Sequence, residues 1–110
     1  MEISSAVIIL AALAQDSRLA IYRTLVQSGP QGMAAGKISE ATGIPPSSLS
    51  FHMKELSIAN LVSSRQEGRF VIYAANFATM NALLAFMTEN CCGGNPPVSL
   101  ECLACPPSQD

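Results

Sequence analysis

The sequence predicts a mainly α fold with one β-hairpin, an α+β arrangement of five helices with the hairpin between the fourth and fifth. Three observations carry this. Apolar residues recur at helical spacing in segments separated by Gly, Pro, Ser and Asn breaks. Two β-rich runs flank a single X-Gly step at Glu67-Gly68. The chain has 110 residues, 49% apolar and 13% charged, which suits one core and excludes a disordered charged chain.

The first helix is expected over residues 3–14 and is apolar nearly all round. Such a helix must be covered on most sides, as at a dimer interface. Gln15-Asp16-Ser17 interrupts it, and Asp16 suits the N-cap of a second helix over 17–27. Leu19, Tyr22, Leu25 and Val26 then share one face. Residues 28–32, S-G-P-Q-G, form a stop and loop. A third helix is expected over 34–42, with Lys37 and Glu40 outward and Ile38 and Ala41 inward. Gly43 suits the turn that ends it, because such turns need positive φ.

Pro46 fits the first turn of the fourth helix, where its missing N–H costs nothing. Leu49, Met53 and Leu56 fall at i, i+4 and i+7 and make one apolar face. Ser47, Ser48, Ser50, Phe51, His52 and Lys54 lie off that stripe. A short helix, a tight turn and a helix docked on one side and polar on the other is what a major-groove reader needs. An ordinary amphipathic surface helix has the same pattern. Asn60 tolerates the left-handed cap that closes this helix. The hairpin joins residues 61–66 to 69–74 and carries Arg65 and Arg69 near its tip. An arginine on each side of a turn can reach phosphates or the minor groove. The last helix, residues 76–89, has Phe77, Met80, Leu83, Leu84 and Met87 in a broad stripe suited to a core or an interface.

Six Lys and Arg against eight Asp and Glu give a net charge of −2. That argues against a strong non-specific polyanion binder but leaves room for a dimer reading a defined site. There is no nucleophile–base constellation and no phosphate loop, so an enzyme is not expected. A thiol oxidoreductase on Cys102-x-x-Cys105 would need a βαβ context the sequence lacks. No apolar run is long enough to span a bilayer. Residues 7–14, V-I-I-L-A-A-L-A, could suggest a leader, but no Lys or Arg precedes them and Glu2 has the wrong sign. A packed helix and a cytoplasmic location are the expectation, with thiols reduced.

The element order describes a winged helix-turn-helix, and the residues resemble the ArsR/SmtB repressors. L-A-Q-D-S-R-L-A-I-Y-R-T-L at 13–25 is similar to that family's L-A-D-x-T-R-L-x-I-L-x-x-L. S-L-S-F-H-M-K-E-L at 48–56, followed by A-N-L-V at 59–62, resembles T-V-S-x-H-L-x-x-L and A-G-L-V. E-G-R-F-V-I-Y at 67–73 resembles the family's wing, E-G-R-x-V-x-Y. The resemblance covers about residues 5 to 88. It implies a homodimer through the terminal helices that binds double-stranded DNA at an inverted repeat and leaves it when an inducer binds. By position it implies that Ser47, Ser48, Ser50 and His52 face DNA, with Lys54, Arg65 and Arg69 nearer phosphates. The family's usual metal sites are missing. Residues 76–89 hold no His or Asp, and residues 37–56 hold no Cys.

Residues 90–110 differ in composition and hold all four cysteines, so a domain over 1–89 and an irregular cysteine-rich tail over 90–110 are expected. Cys91-Cys92 precede Gly93-Gly94, and Cys102 and Cys105 follow a Pro-rich loop. Trivalent arsenic and antimony bind three thiolates in a pyramid, and soft thiolates select such acceptors. Closing a loop of roughly ten residues costs only a few kcal/mol. The arrangement resembles the arsenical-responsive subgroup with a vicinal pair after the last helix, which points to Cys91, Cys92 and Cys102 as ligands, with Cys105 an alternative third. Arsenite or antimonite would be the inducer, and no cofactor is required. Other readings are another thiophilic metal, thiol oxidation, or a winged-helix protein-contact module with a zinc-binding tail.

Overall fold

Residues 1–90 of the computed structural model are described. Cys91, Cys92, Cys102 and Cys105 lie outside the described residues, as does nearly all of the tail expected from residue 90 onward. The elements are α1 (Ile3–Leu13), α2 (Asp16–Ser28), β1 (Met33–Ala34), α3 (Ala35–Thr42), α4 (Pro46–Ile58), β2 (Val62–Glu67), β3 (Phe70–Ala75) and α5 (Phe77–Met87). The winged helix-turn-helix is present, with one addition to the expected order. β1 pairs antiparallel with β3, Met33 opposite Tyr73 and Ala34 opposite Ile72, so the sheet runs β1-β3-β2. A two-residue strand has no alternation to read, and its partner lies about forty residues away.

The core is built from Ile21 and Leu25 of α2, Ile38 of α3, Met53 and Leu56 of α4, and Leu61 just after α4, all fully buried. α1 adds Ala6, Ile9 and Ala12, one face of an otherwise apolar helix. No single helix among the described residues is long and apolar enough to cross a membrane, and α1 and α2 meet at 97°.

Three expectations need correction. The N-cap of α2 is Gln15, whose side chain accepts from Arg18 N at 2.9 Å, and Asp16 is already the first helical residue. The longer amide reaches the orphan N–H that Asp16 would otherwise cap. The buried face of α2 is Ile21, Tyr22 and Leu25, while Leu19 and Val26 are exposed. An apolar-rich helix permits either phase, and only packing on α3, α4 and β3 selects one. Ala41 is exposed as well, because α3 turns only Ile38 fully inward.

Two cap structures fix the segment around α4. Gly43 takes φ +75° at the end of α3, and its N–H bonds to Ser39 O at 2.9 Å. Ser39 Oγ donates to Ile44 O at 2.6 Å, which holds the turn into α4. At the other end Asn60 takes φ 62°. Its N–H bonds to Ser57 O at 2.9 Å and that of Leu61 to Leu56 O at 3.0 Å. That pair of bonds is a Schellman cap, with buried Leu56 and Leu61 as its apolar contact.

Candidate nucleic-acid interface

α4 starts at Pro46, and the carbonyl of Pro45 accepts from Leu49 N at 2.8 Å, closing the first turn. Leu49, Met53 and Leu56 are buried. Ser47, Ser48, Ser50, Phe51 and Lys54 are exposed on the opposite side. Ser50 Oγ donates to Pro46 O at 3.2 Å, which leaves its oxygen free to accept. Phe51, 57% exposed, adds an apolar element to an otherwise hydroxyl-rich face. Such a ring fits against a thymine methyl. The sequence showed that Phe51 lies off the apolar stripe but gave no reason to count it with the contact residues.

His52 is half-buried rather than free. Its ring meets Phe51 edge-on at 5.5 Å, and its Nδ1 lies 3.4 Å from a guanidinium nitrogen of Arg18. Arg18 is itself held by the Ala12 carbonyl, to which its Nε donates at 2.7 Å. The Arg18–His52 contact spans 34 residues, and no local pattern signals it.

The wing follows directly. β2 and β3 pair from Val62 opposite Ala75 to Glu67 opposite Phe70, leaving Gly68-Arg69 as the loop. Gly68 has φ +61° and Arg69 does not share the positive sign, the type II′ pattern that suits twisted strands. Arg69 thus stands at the tip and makes no ion pair among the described residues. Arg65 is tied down. Its Nε donates to Glu67 Oε2 at 2.7 Å and its Nη2 to Gln31 O at 2.8 Å. The guanidinium retains unused N–H groups, since it carries five. Phe70, beside Arg69, is 62% exposed.

A third surface is apolar. Ile3, Val7, Ile8 and Leu10 of α1 are 72%, 56%, 54% and 42% exposed. Beside them a groove of about 470 Å³ runs between α1, the end of α4 and the start of α5, bounded by Ile8, Ile58 and Ala82. Among the described residues no group of three or more His, Cys, Asp or Glu side chains could hold a metal ion.

Residues 13–65 match the family described as a helix-turn-helix domain. The chain is 30% identical over 80 residues to nodulation protein NolR of Rhizobium meliloti, covering 73% of this chain and 63% of that protein's length. The homodimeric winged helix-turn-helix DNA-binding domain of Mb0332 from Mycobacterium bovis, a possible ArsR-family transcriptional regulator, superposes with a TM-score of 0.63 at 27% identity, covering 79% and 81% of the two chains. The crystal structure of NolR from Sinorhizobium fredii superposes with a TM-score of 0.62 at 30% identity, covering 84% of this chain and 88% of that one. The fold is a winged helix-turn-helix, and the solved structures it resembles include ArsR-like regulators. In this winged helix-turn-helix, α3 and α4 are the helix-turn-helix, β2 and β3 the wing, and α1 and α5 the terminal helices. That assignment puts the exposed serine face and the arginine-tipped wing on neighbouring segments of the fold.

Proposed function

We propose that this chain is a transcriptional repressor that binds an inverted-repeat operator as a homodimer and dissociates when trivalent arsenic or antimony is bound. The observation that carries the DNA-binding part is the face of α4. Ser47, Ser48, Ser50 and Lys54 stand exposed over a fully anchored apolar side, with the wing next in the chain. Hydroxyls serve either donors or acceptors on base edges, and His52 adds a ring nitrogen. Lys54 and Arg69 supply phosphate contacts, and Arg65 contributes its remaining N–H groups. The exposed apolar side of α1 is the surface a second copy would cover, as the homodimeric Mb0332 domain supports.

The inducer reading rests on the tail's own chemistry, since the relatives' names carry no inducer. Cys91, Cys92 and Cys102 offer three thiolates, with Cys105 an alternative third. A pyramidal centre needs no nitrogen or carboxylate. Cys91 follows α5 by only a few residues. Pinning the end of α5 would tilt one protomer against the other, so that two α4 helices no longer match half-sites one DNA turn apart. A coupling of about 1–3 kcal/mol suffices. Arsenous acid exchanging hydroxyls for thiols leaves the charge unchanged, so the switch is geometric.

The test is a titration of arsenite, cadmium and zinc into the protein–operator complex while DNA release is followed. Arsenite should release wild type and leave Cys92→Ser bound. Unchanged release from Cys92→Ser would remove the tail from the mechanism.

A further inference from the structure

We infer that Arg18 is a positioning residue for DNA reading. It holds His52 with the ring proton on Nε2, so that α4 presents a donor that selects an acceptor edge and rejects cytosine. This rests on the DNA-binding reading above.

A guanidinium carries only donors. The ring nitrogen facing it, Nδ1 at 3.4 Å, must therefore offer its lone pair, and the proton of the neutral ring sits on Nε2. Arg18 is oriented independently of His52. Its Nε is fixed on the Ala12 carbonyl at the end of α1, and its backbone N–H on the Gln15 side chain. Phe51 packs edge-on against the ring at 5.5 Å and adds a second restraint on its rotation. Glu55 lines the same cleft as Arg18 and makes no ion pair with it, so the guanidinium is not diverted. A ring that can only donate pairs with guanine O6 or N7, adenine N7 or thymine O4. Cytosine presents an amino donor and no acceptor there. Without Arg18 the ring can exchange tautomers or turn over, and either change lets Nδ1 or a bare Nε2 face the groove.

The experiment uses the full chain and duplexes selected from a randomised pool. It compares wild type with Arg18→Met, Arg18→Lys, His52→Ala and the Arg18→Met/His52→Ala double variant. Wild type should disfavour cytosine at one position of each half-site by about fivefold or more, the size of one hydrogen bond. Arg18→Met should erase that preference, leave the salt dependence of binding unchanged, and add nothing to the loss in His52→Ala. Arg18→Lys keeps a donor for the Ala12 carbonyl but cannot also reach Nδ1, so it should relax the same position while preserving the fold. His52 is the only histidine. Its ring ¹⁵N spectrum in the free protein should show Nε2–H alone in wild type and a mixture in both Arg18 variants.

An unaltered ring spectrum or an unaltered base preference in both Arg18 variants would overturn the inference. So would a uniform loss of affinity with a salt slope lower by about one per Arg18, which marks a phosphate contact instead. A wild type that selects no sequence at all overturns the DNA-binding reading itself, a result distinguishable from the others.

Discussion

Gly32 and Gly43 both sit at positive φ, +76° and +75°, yet they are not equivalent. A Cβ on Gly43 would meet nothing within 4 Å. One on Gly32 would run into the carbonyl of Tyr73 on β3. Gly43→Ala should therefore cost about 1–2 kcal/mol, from backbone conformation alone. Gly32→Ala should lose a further 1–3 kcal/mol or so from the collision. Urea unfolding of the two variants checks the difference, and equal losses would contradict it. Tyr22 makes a separate case. Its hydroxyl is buried with no partner among the described residues, and burial pushes the phenol above its ordinary value. The unfolded chain then loses this proton at lower pH than the folded one. Stability is unaffected below about pH 10, the ordinary phenol value, and falls as pH rises from there through the folded value. Tyr22→Phe removes an unsatisfied group, so it should gain on the order of 1 kcal/mol at neutral pH and lack that part of the alkaline loss. Thermal unfolding between pH 7 and about pH 11 reads both effects.

At the scale of elements, α4 separates stability from recognition. Its apolar side is shared with the core, and its exposed serines make one side-chain hydrogen bond among the described residues, from Ser50 Oγ to the Pro46 carbonyl. Ser47→Ala and Ser48→Ala should change folding stability by less than about 0.5 kcal/mol. If either serine contacts a base, the loss of selective affinity is about 1–3 kcal/mol. Lys54→Ala and Arg69→Ala should instead weaken binding to all sequences alike, each reducing the salt slope by about one per contacted phosphate. Gel shifts across a salt series separate the two behaviours. The wing behaves differently from α4. The Arg65–Glu67 pair is 45% and 56% exposed, so it contributes little to folding, about 0–1 kcal/mol. Its effect is to orient Arg65 along β2 and toward the loop that carries Gln31.

At the scale of the molecule, α1 is the anomaly. A helix with Ala6, Ile9 and Ala12 inward and Ile3, Val7, Ile8 and Leu10 outward has apolar residues on both sides. Exposed together, they form the kind of patch that marks an interface. Val7→Glu should place an unpaired charge in that interface at a cost of roughly 2–4 kcal/mol, or about 30- to 1000-fold in the dimer Kd. On the proposed dimer, light scattering after size exclusion should show wild type as dimer and this variant as monomer, and operator affinity should fall with it. A wild type that is monomeric at micromolar concentration would remove the dimer from the proposed function.

Much of this architecture is local in origin and was legible in residue order. Pro46 starts α4, Gly43 and Asn60 close the flanking turns, and the stripe of Leu49, Met53 and Leu56 chooses which side of α4 goes inward. These signals lie within one or two helical turns, so no distant contact is needed to read them. The exposed serine face follows by exclusion from that stripe. What depended on tertiary packing was every choice between near-equal local options. Those were which phase of α2 is buried, whether residues 33–34 pair with β3, and how His52 and Arg65 are restrained. Each is decided by a partner 30 residues or more away, or by several neighbours at once. A sequence can specify such contacts, but its local periodicity cannot display them. The reason is that folding alone brings the second group within hydrogen-bonding or van der Waals reach.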